Sequence, residues 1–219
     1  MEPEPAPRVP LSRERVLDAA ISLADRGGIE ALTMRKLALE LGVEAMSLYY
    51  HVTNKDEILN AIGDMVVRQI DLPVAEEAWK TALRRTAMSA HETLLRHQWA
   101  ASLLLSSGMV SQARLRYMDA ILGTLREAGF SAEMTDRAYH ALDSHIMGYT
   151  LWVAGMDLGS REDLVALATE FLRELPRDLP YLAEHVEQHI KPRSADDEGD
   201  FAFGLDLILD GLERHLAAE

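Results

Sequence analysis

The sequence predicts an all-α protein, with an N-terminal three-helix domain that holds a helix-turn-helix and a C-terminal helical bundle. Three observations predict it. Apolar residues recur three and four apart from the first periodic segment to the end of the chain, the spacing of one helix face. Glycines and prolines break that pattern at Gly27-Gly28, Gly42, Pro73, Gly108, Gly129, Gly159, Pro176 and Pro180. No strand-like alternation of useful length intervenes, and no internal repeat is visible.

The first ten residues, MEPEPAPRVP, are proline-rich and lack an apolar core, so residues 1–10 read as a disordered tail and not a signal peptide. Ser12 suits the N-cap of a first helix, and Glu14 its positive end. Val16, Leu17, Ala20, Ile21 and Ala24 give that helix its apolar stripe. Residues 33–55, TMRKLALELGVEAMSLYYHVTNK, then read as two short helices joined by a tight turn. Leu37, Ala38 and Leu41 share a face of the first. Gly42 falls where a helix ends on a left-handed residue, a conformation that carries no Cβ clash in glycine. Leu48 and Val52 give the second helix its buried side, and small Ala38 lets the two cross closely. Ala45, Met46, Ser47, Tyr49, Tyr50 and His51 are left pointing outward. A helix too short to be stable alone, angled on a small core, is a helix-turn-helix, and its outward face suits a DNA major groove.

Asn54 begins a fourth helix, with Glu57 three residues on as the back half of a capping box. Its apolar positions are Ile58, Leu59, Ile62, Met65, Val66 and Ile70, and Pro73 closes it. The domain boundary is placed there, giving domains at 11–71 and 74–219. Further helices are expected near 77–96, 98–106, 111–128, 132–156, 161–175, 180–190 and 200–217, with a polar, acidic surface loop at Pro192–Asp200. The helices near 132–156 and 200–217 mix small residues with apolar ones on more than one side. They read either as core helices of a monomer or as a pair packing on its symmetry mate in a four-helix interface.

Charge and composition narrow the function. The chain carries a net charge of −14 and has no cysteine, which excludes disulfides and thiol chemistry and fits a cytoplasmic address. No run approaches the roughly 20 apolar residues that span a bilayer. Residues 1–71 hold 8 basic against 12 acidic side chains, so the bulk charge opposes nucleic acid even in the first domain. DNA binding therefore has to rest on a local arrangement of Arg35, Lys36 and Lys55, with Arg8, Arg13 and Arg15 as an accessory arm. Lys55 stands at a helix N-terminus, where backbone amides and the dipole already attract phosphate.

Residues Leu11–Ile70 resemble the DNA-binding domain of the TetR family of bacterial regulators. The resemblance rests on the glycines closing helix 1, on ALTMRKLALELGV, on LYYHV and on the NKDEIL opening of helix 4. The terminal FAFGLDLILDGLERHL is similar to the last helix of the tetracycline repressor branch. The resemblance implies a homodimer through the helices near 132–156 and 200–217. It would carry two heads that bind double-stranded operator DNA and a core that binds a small-molecule effector and dimerises. It implies a repressor that is released by its effector, with no enzymatic activity and no cofactor. The DNA-contact set is then Thr33, Arg35, Lys36, Ala45, Met46, Ser47, Tyr49, Tyr50, His51 and Lys55. Of these, one of Tyr49 and Tyr50, and His51, also read as packing residues, and Arg35 and Lys36 also read as solvated helix charges.

In the core the pattern departs from the tetracycline branch. Thr86 and Ala90 stand where that branch has a drug-binding asparagine and phenylalanine. Leu104 replaces its magnesium-binding histidine, and Met156 a glutamate that helps hold the metal's water. No tetracycline–magnesium site is expected. The candidate effector-pocket residues are Met65, His91, Trp99, Leu103, Tyr117, Met118, Ile121, His140, Ser144, Met147 and Trp152. They form an apolar lining with few polar groups, each of which also reads as ordinary core. Ten methionines suit an adaptable interior and a hydrophobic effector.

The rival reading is an all-helical enzyme or scaffold that reuses the fold. His140, Asp143, Ser144 and His145 invite it, but on an ideal helix His145 is turned by roughly 100° from Ser144. His185 and His189 are four apart, yet HVEQH lacks the glutamate that zinc proteases place beside the first histidine. No metal site is expected from either group.

Overall fold

The computed structural model describes residues 10–106, 111–156, 161–191 and 199–218. The expected tail with Arg8, the breaks at Gly108 and Gly159, and the acidic loop from 192 to 198 lie outside the described residues. Among those described there are eleven α-helices and no strand.

The N-terminal helices are α1 (Arg13–Gly27), α2 (Met34–Leu41), α3 (Ala45–Leu48) and α4 (Lys55–Val67). Each boundary has a local cause. Ser12 Oγ accepts the Arg15 N–H at 3.2 Å, Thr33 Oγ1 the Lys36 N–H at 3.2 Å, and Asn54 Oδ1 the Glu57 N–H at 2.8 Å. Helix α2 ends on Gly42 at φ 67°. The Val43 N–H returns to the Ala38 carbonyl and the Gly42 N–H to that of Leu39, which completes a Schellman closure. Leu37 and Ala38 of α2 and Leu48 of α3 are buried with Val16, Leu17, Ala20 and Ala24 of α1 in one core.

Four local features differ from the sequence expectation. A 3₁₀ turn, Ile29–Ala31, lies between α1 and α2. Helix α3 is a single turn. Tyr49, Tyr50 and His51 continue it as hydrogen-bonded turns, with the His51 and Val52 N–H groups both reaching the Leu48 carbonyl. Helix α4 stops at Val67, short of Pro73, and the chain turns through Arg68–Ile70 while keeping Ile70 buried. In the capping box, Glu57 Oε2 takes the N–H of Thr53 at 2.6 Å instead of that of Asn54.

The rest of the described chain forms α5 (Trp79–Arg96), α6 (Gln98–Ser106), α7 (Gln112–Glu127), α8 (Ala132–Gly155), α9 (Arg161–Glu174), α10 (Pro180–Ile190) and α11 (Gly199–Leu216). Helices α5, α8 and α11 pack on one another, with α6 and α7 against α8, while α9 and α10 pair together. Trp79 sits edge-on to Phe130 at 5.1 Å where α5 and α8 begin. Charged pairs set the register of α11 on α5: Arg84 grips Asp206 through two bonds of 2.7 and 3.1 Å, and Lys80 meets Asp210 and Glu213.

Helix α4 packs on both parts, touching α1 on one side and α5, α6 and α7 on the other. Its Asp64 accepts the Ala113 N–H at the start of α7 at 2.9 Å. A second link joins α1 to α6, where Asp25 Oδ1 accepts the Trp99 indole N–H at 2.7 Å and meets His97 Nδ1 at 2.8 Å. Both links use a carboxylate of the N-terminal part. No helix among the described residues is long and apolar enough to cross a membrane.

Candidate DNA-binding face and core cavity

The side chains that the sequence singles out stand on α2, on α3 with the turns after it, and at the start of α4. Arg35 and Lys36 project from the first turn of α2, both exposed, and Lys55 is the first residue of α4. Tyr50 is 88% exposed, and Met46 and Tyr49 are exposed beside it. Ala45 packs against the core, and Ser47 and His51 are half-buried. The outward face is thus narrower than expected, because one helical turn can hide only Leu48 and must prop its neighbours on the same core. Thr33 is exposed, with its hydroxyl already accepting the α2 amide.

Electrostatics favour this face in spite of the acidic chain. Two nearby carboxylates are neutralised by intramolecular pairs, Glu40 by Arg26 at 2.8 Å and Glu57 by Arg13 at 3.1 Å. The Thr53 amide and hydroxyl and then Arg13 hold the Glu57 carboxyl below its ordinary range, so it stays charged and engaged. Arg35, Lys36 and Lys55 have no acidic partner among the described residues, so their charge is available to a polyanion. Arg13 and Arg15 are not a free arm: Arg13 joins α1 to the start of α4, and Arg15 donates to the Pro10 carbonyl at 2.8 Å.

The core cavity lies where α4, α5, α6, α7 and α8 converge. Val67, Ile70, Ala90, Leu94, Leu104, Ile146 and Met147 form apolar walls, with Arg114, Tyr117, Tyr139 and Asp143 among them. It is small, with about 20 Å³ open to the centre of a water molecule, room for about one water. Burial pushes the Tyr139 phenol up to about 12 and raises the Tyr117 phenol further, so both keep their protons. Burial also raises the Asp143 carboxyl, and Arg114 and then His140 oppose that rise.

Of the expected pocket residues, only Tyr117 and Met147 reach this cavity. Ile121 is buried elsewhere in the core, and Leu103 packs partly buried against it. His140, Ser144 and Trp152 lie on the exposed side of α8, because a helix presenting Tyr139, Asp143 and Ile146 inward turns those three out. Met65 and Met118 line outer surface grooves. Trp99 spends its indole N–H on Asp25.

His91 is buried against Phe201, with ring centroids 3.9 Å apart. Its Nδ1 lies 2.8 Å from Thr150 Oγ1, which itself donates to the Ile146 carbonyl, so Nδ1 carries the proton. Burial, with His145 nearby, lowers this imidazole to about 4 and keeps it neutral. The sequence reading missed Arg114 and Tyr139 and assigned Asp143 only to a rejected enzymatic cluster. The signal lay in spacing, since Tyr139, Asp143 and Ile146 recur four and three apart on one face.

His185 and His189 face each other across one turn of α10, Nε2 to Nε2 at 3.2 Å. Among the described residues no group of three or more His, Cys, Asp or Glu side chains is arranged to hold a metal ion.

Residues 16–62 match the family model for bacterial regulatory proteins of the tetR family, and residues 72–216 that for the tetracyclin repressor-like C-terminal domain. The class D tetracycline repressor of Escherichia coli is 33% identical over 211 residues, which cover 95% of this chain and 92% of that protein. The Streptomyces coelicolor TetR family protein ActR, solved in complex with (S)-DNPA, is similar in structure at a TM-score of 0.72 and 25% identity, over 95% of this chain and 100% of that one. BioQ, solved with its natural double-stranded DNA operator, is similar at a TM-score of 0.65 and 25% identity, over 94% of this chain and 100% of that one. An unpaired basic face on a helix-turn-helix, joined through α4 to a cavity in a helical core, is thus found in a chain that belongs to the TetR family of bacterial regulatory proteins.

Proposed function

We propose that this protein is a transcriptional repressor, not an enzyme, that binds operator DNA through α2, α3 and the start of α4 and lets go when a hydrophobic small molecule enters the core cavity. The observation that carries the reading is the position of α4. Its first residue, Lys55, follows directly on the helix-turn-helix, and Val67 and Ile70 at its other end line the cavity. A ligand larger than so small a cavity must move those walls, and α4 transmits the movement to the head. It shifts the equilibrium only as far as it prefers the non-binding arrangement of the heads.

Arg35, Lys36 and Lys55 supply phosphate contacts, and Tyr49, Tyr50, Ser47, His51 and Thr33 add hydrogen-bonding groups along the groove. Met46 and Ala45 are the apolar readers, suited to thymine methyl groups. A protein acting on operator DNA in a bacterium works in the cytoplasm. Leu104, on the cavity wall, and Met156, beyond the end of α8, offer no magnesium ligand where the tetracycline branch binds its metal, so the effector is not a tetracycline–magnesium complex.

The working unit is a homodimer through α8 and α11. Phe203 and Leu207 are 66% and 56% exposed on the side of α11 opposite its buried residues. On α8, half-exposed Trp152 continues a stripe of small residues, Ala141, Ser144 and Gly148, that permits close helix approach. Fluorescence anisotropy with DNA flanking the protein's own gene tests the reading. Binding should occur and should be lost in the double variant Arg35→Ala, Lys55→Ala. A folded dimer that binds none of that DNA would refute it.

A further inference from the structure

The cavity has a polar end whose groups have nothing to bind. Tyr117 and Tyr139 are 7% and 6% exposed, and Asp143 follows Tyr139 by one turn on the same face of α8. All three line the cavity. Among the described residues, neither phenol hydroxyl nor the carboxylate makes a hydrogen bond. Arg114, the one cation in the lining, gives its guanidinium to the Leu104 carbonyl at 2.9 Å and forms no ion pair with Asp143.

The two phenols belong to buried residues, where a polar group is usually paired because stripping water from it is costly, while Asp143 is half-buried and keeps partial access to water. The open space holds about one water, and no protein group among the described residues serves the phenols or the carboxylate. The chemistry of the three groups states what would. An ionised carboxylate only accepts hydrogen bonds, whereas a phenol both donates and accepts. The missing group therefore donates to Asp143, and a carboxylate in its place would be repelled. A hydroxyl donates to Asp143 and accepts from a tyrosine. A protonated amine donates to Asp143 and to both phenol oxygens. The other walls are aliphatic, apart from the sulfur of Met147.

Resting on the regulator reading above, we infer that the effector is an apolar molecule carrying a hydroxyl or a protonated amine, and that Asp143, Tyr117 and Tyr139 form the subsite that receives that donor. The subsite also touches the transmission path. Tyr117 and Arg114 stand in the first two turns of α7, whose start is held to α4 by Asp64. A donor drawn to this end of the cavity seats the ligand against α7.

Four probes of one shape test the subsite in the full-length protein without DNA: naphthalene, 2-naphthol, 2-naphthylmethylammonium and 2-naphthoate, titrated by tryptophan fluorescence. We expect 2-naphthol and the ammonium to bind at least about tenfold more tightly than naphthalene, one charge-assisted hydrogen bond's worth, with 2-naphthoate weakest. Asp143→Leu should abolish the preference while leaving naphthalene binding equal or tighter. Asp143→Asn, which keeps an acceptor but not the charge, should weaken the ammonium about tenfold and 2-naphthol only a few-fold.

Equal binding of naphthalene and both donors, no binding of either donor, or a preference that survives Asp143→Leu would each overturn the subsite. Operator binding is measured separately by anisotropy on the same protein. Loss of the donor preference with DNA binding intact rejects the subsite alone, and loss of DNA binding in the parent protein rejects the regulator reading.

Discussion

Asp64 holds α4 to α7, and its removal should weaken the fold and the coupling between cavity and head together. The side chain is 18% exposed. One carboxylate oxygen accepts the Ala113 N–H at 2.9 Å, and the other accepts Arg68 Nε at 2.7 Å. A hydrogen bond to a charged acceptor contributes about 1.5–3 kcal/mol. The Arg68 pair lies on the helix surface and adds about 0.3–0.5 kcal/mol. Asp64→Ala should therefore cost about 2–3 kcal/mol. Asp64→Asn, which still accepts from Ala113 but loses its charge at the helix start, should cost about 1 kcal/mol. Urea unfolding of both variants measures this through the transition midpoint at constant slope.

The pH dependence has a definite sign. Burial is the largest single influence and raises the Asp64 carboxyl, but the Ala113 amide, Arg68 and Ser111 together outweigh it and hold the group below its ordinary 3.8. A carboxylate depressed by folding gives stability that is complete above the unfolded value and is lost as pH falls through the folded one. The gap between parent and Asp64→Ala should stay constant from neutral pH down to about pH 5 and narrow below about pH 4. In the same variant, ligand should release less operator, because the cavity wall and α4 are no longer tied. If Asp64→Ala and Asp64→Asn both unfold within about 0.5 kcal/mol of the parent, the α4–α7 bond carries no stability and the reasoning fails.

Three other expectations follow from the same geometry. Lys55→Ala should weaken binding to every DNA sequence alike and lower the salt slope by about 0.9 per half-site, and an unchanged slope in salt titrations would remove Lys55 from the phosphate contacts. Leu207→Glu should turn the dimer into a monomer in light scattering and reduce operator affinity, and a persistent dimer would place the interface elsewhere. Gly204→Ala puts a Cβ 2.5 Å from His145 Cε1, so the ring must leave its 2.9 Å hydrogen bond to the Phe201 carbonyl. The overpacking should cost about 1–3 kcal/mol, and a melting temperature equal to the parent's would show that the ring gives way freely.

Helix positions were legible in the chain because each end is written in a few neighbouring residues. Ser12, Thr33, Asn54, Ser111 and Ser131 all cap helices through their own side chains, and Gly42 closes α2. The same locality brought out the proposed DNA-contact set, since Arg35, Lys36, Tyr50 and Lys55 lie within two turns of a recognisable motif. What went astray needed contacts between distant residues. Arg13 looked free until Glu57, 44 residues away, took it up. Trp99 looked like pocket lining until Asp25, 74 residues away, claimed its indole.

The sequence by itself determined the class of fold, the ends of most helices and the motif that meets DNA, because periodicity and capping act within a few residues. Only the tertiary structure decided which side of α8 faces inward, and so exchanged His140, Ser144 and Trp152 for Tyr139 and Asp143 in the cavity. A helix with apolar and polar residues on several sides has no preferred inner face of its own. Its neighbours choose one, and here α5, α6, α7 and α11 chose the face that leaves two phenols and a carboxylate without partners.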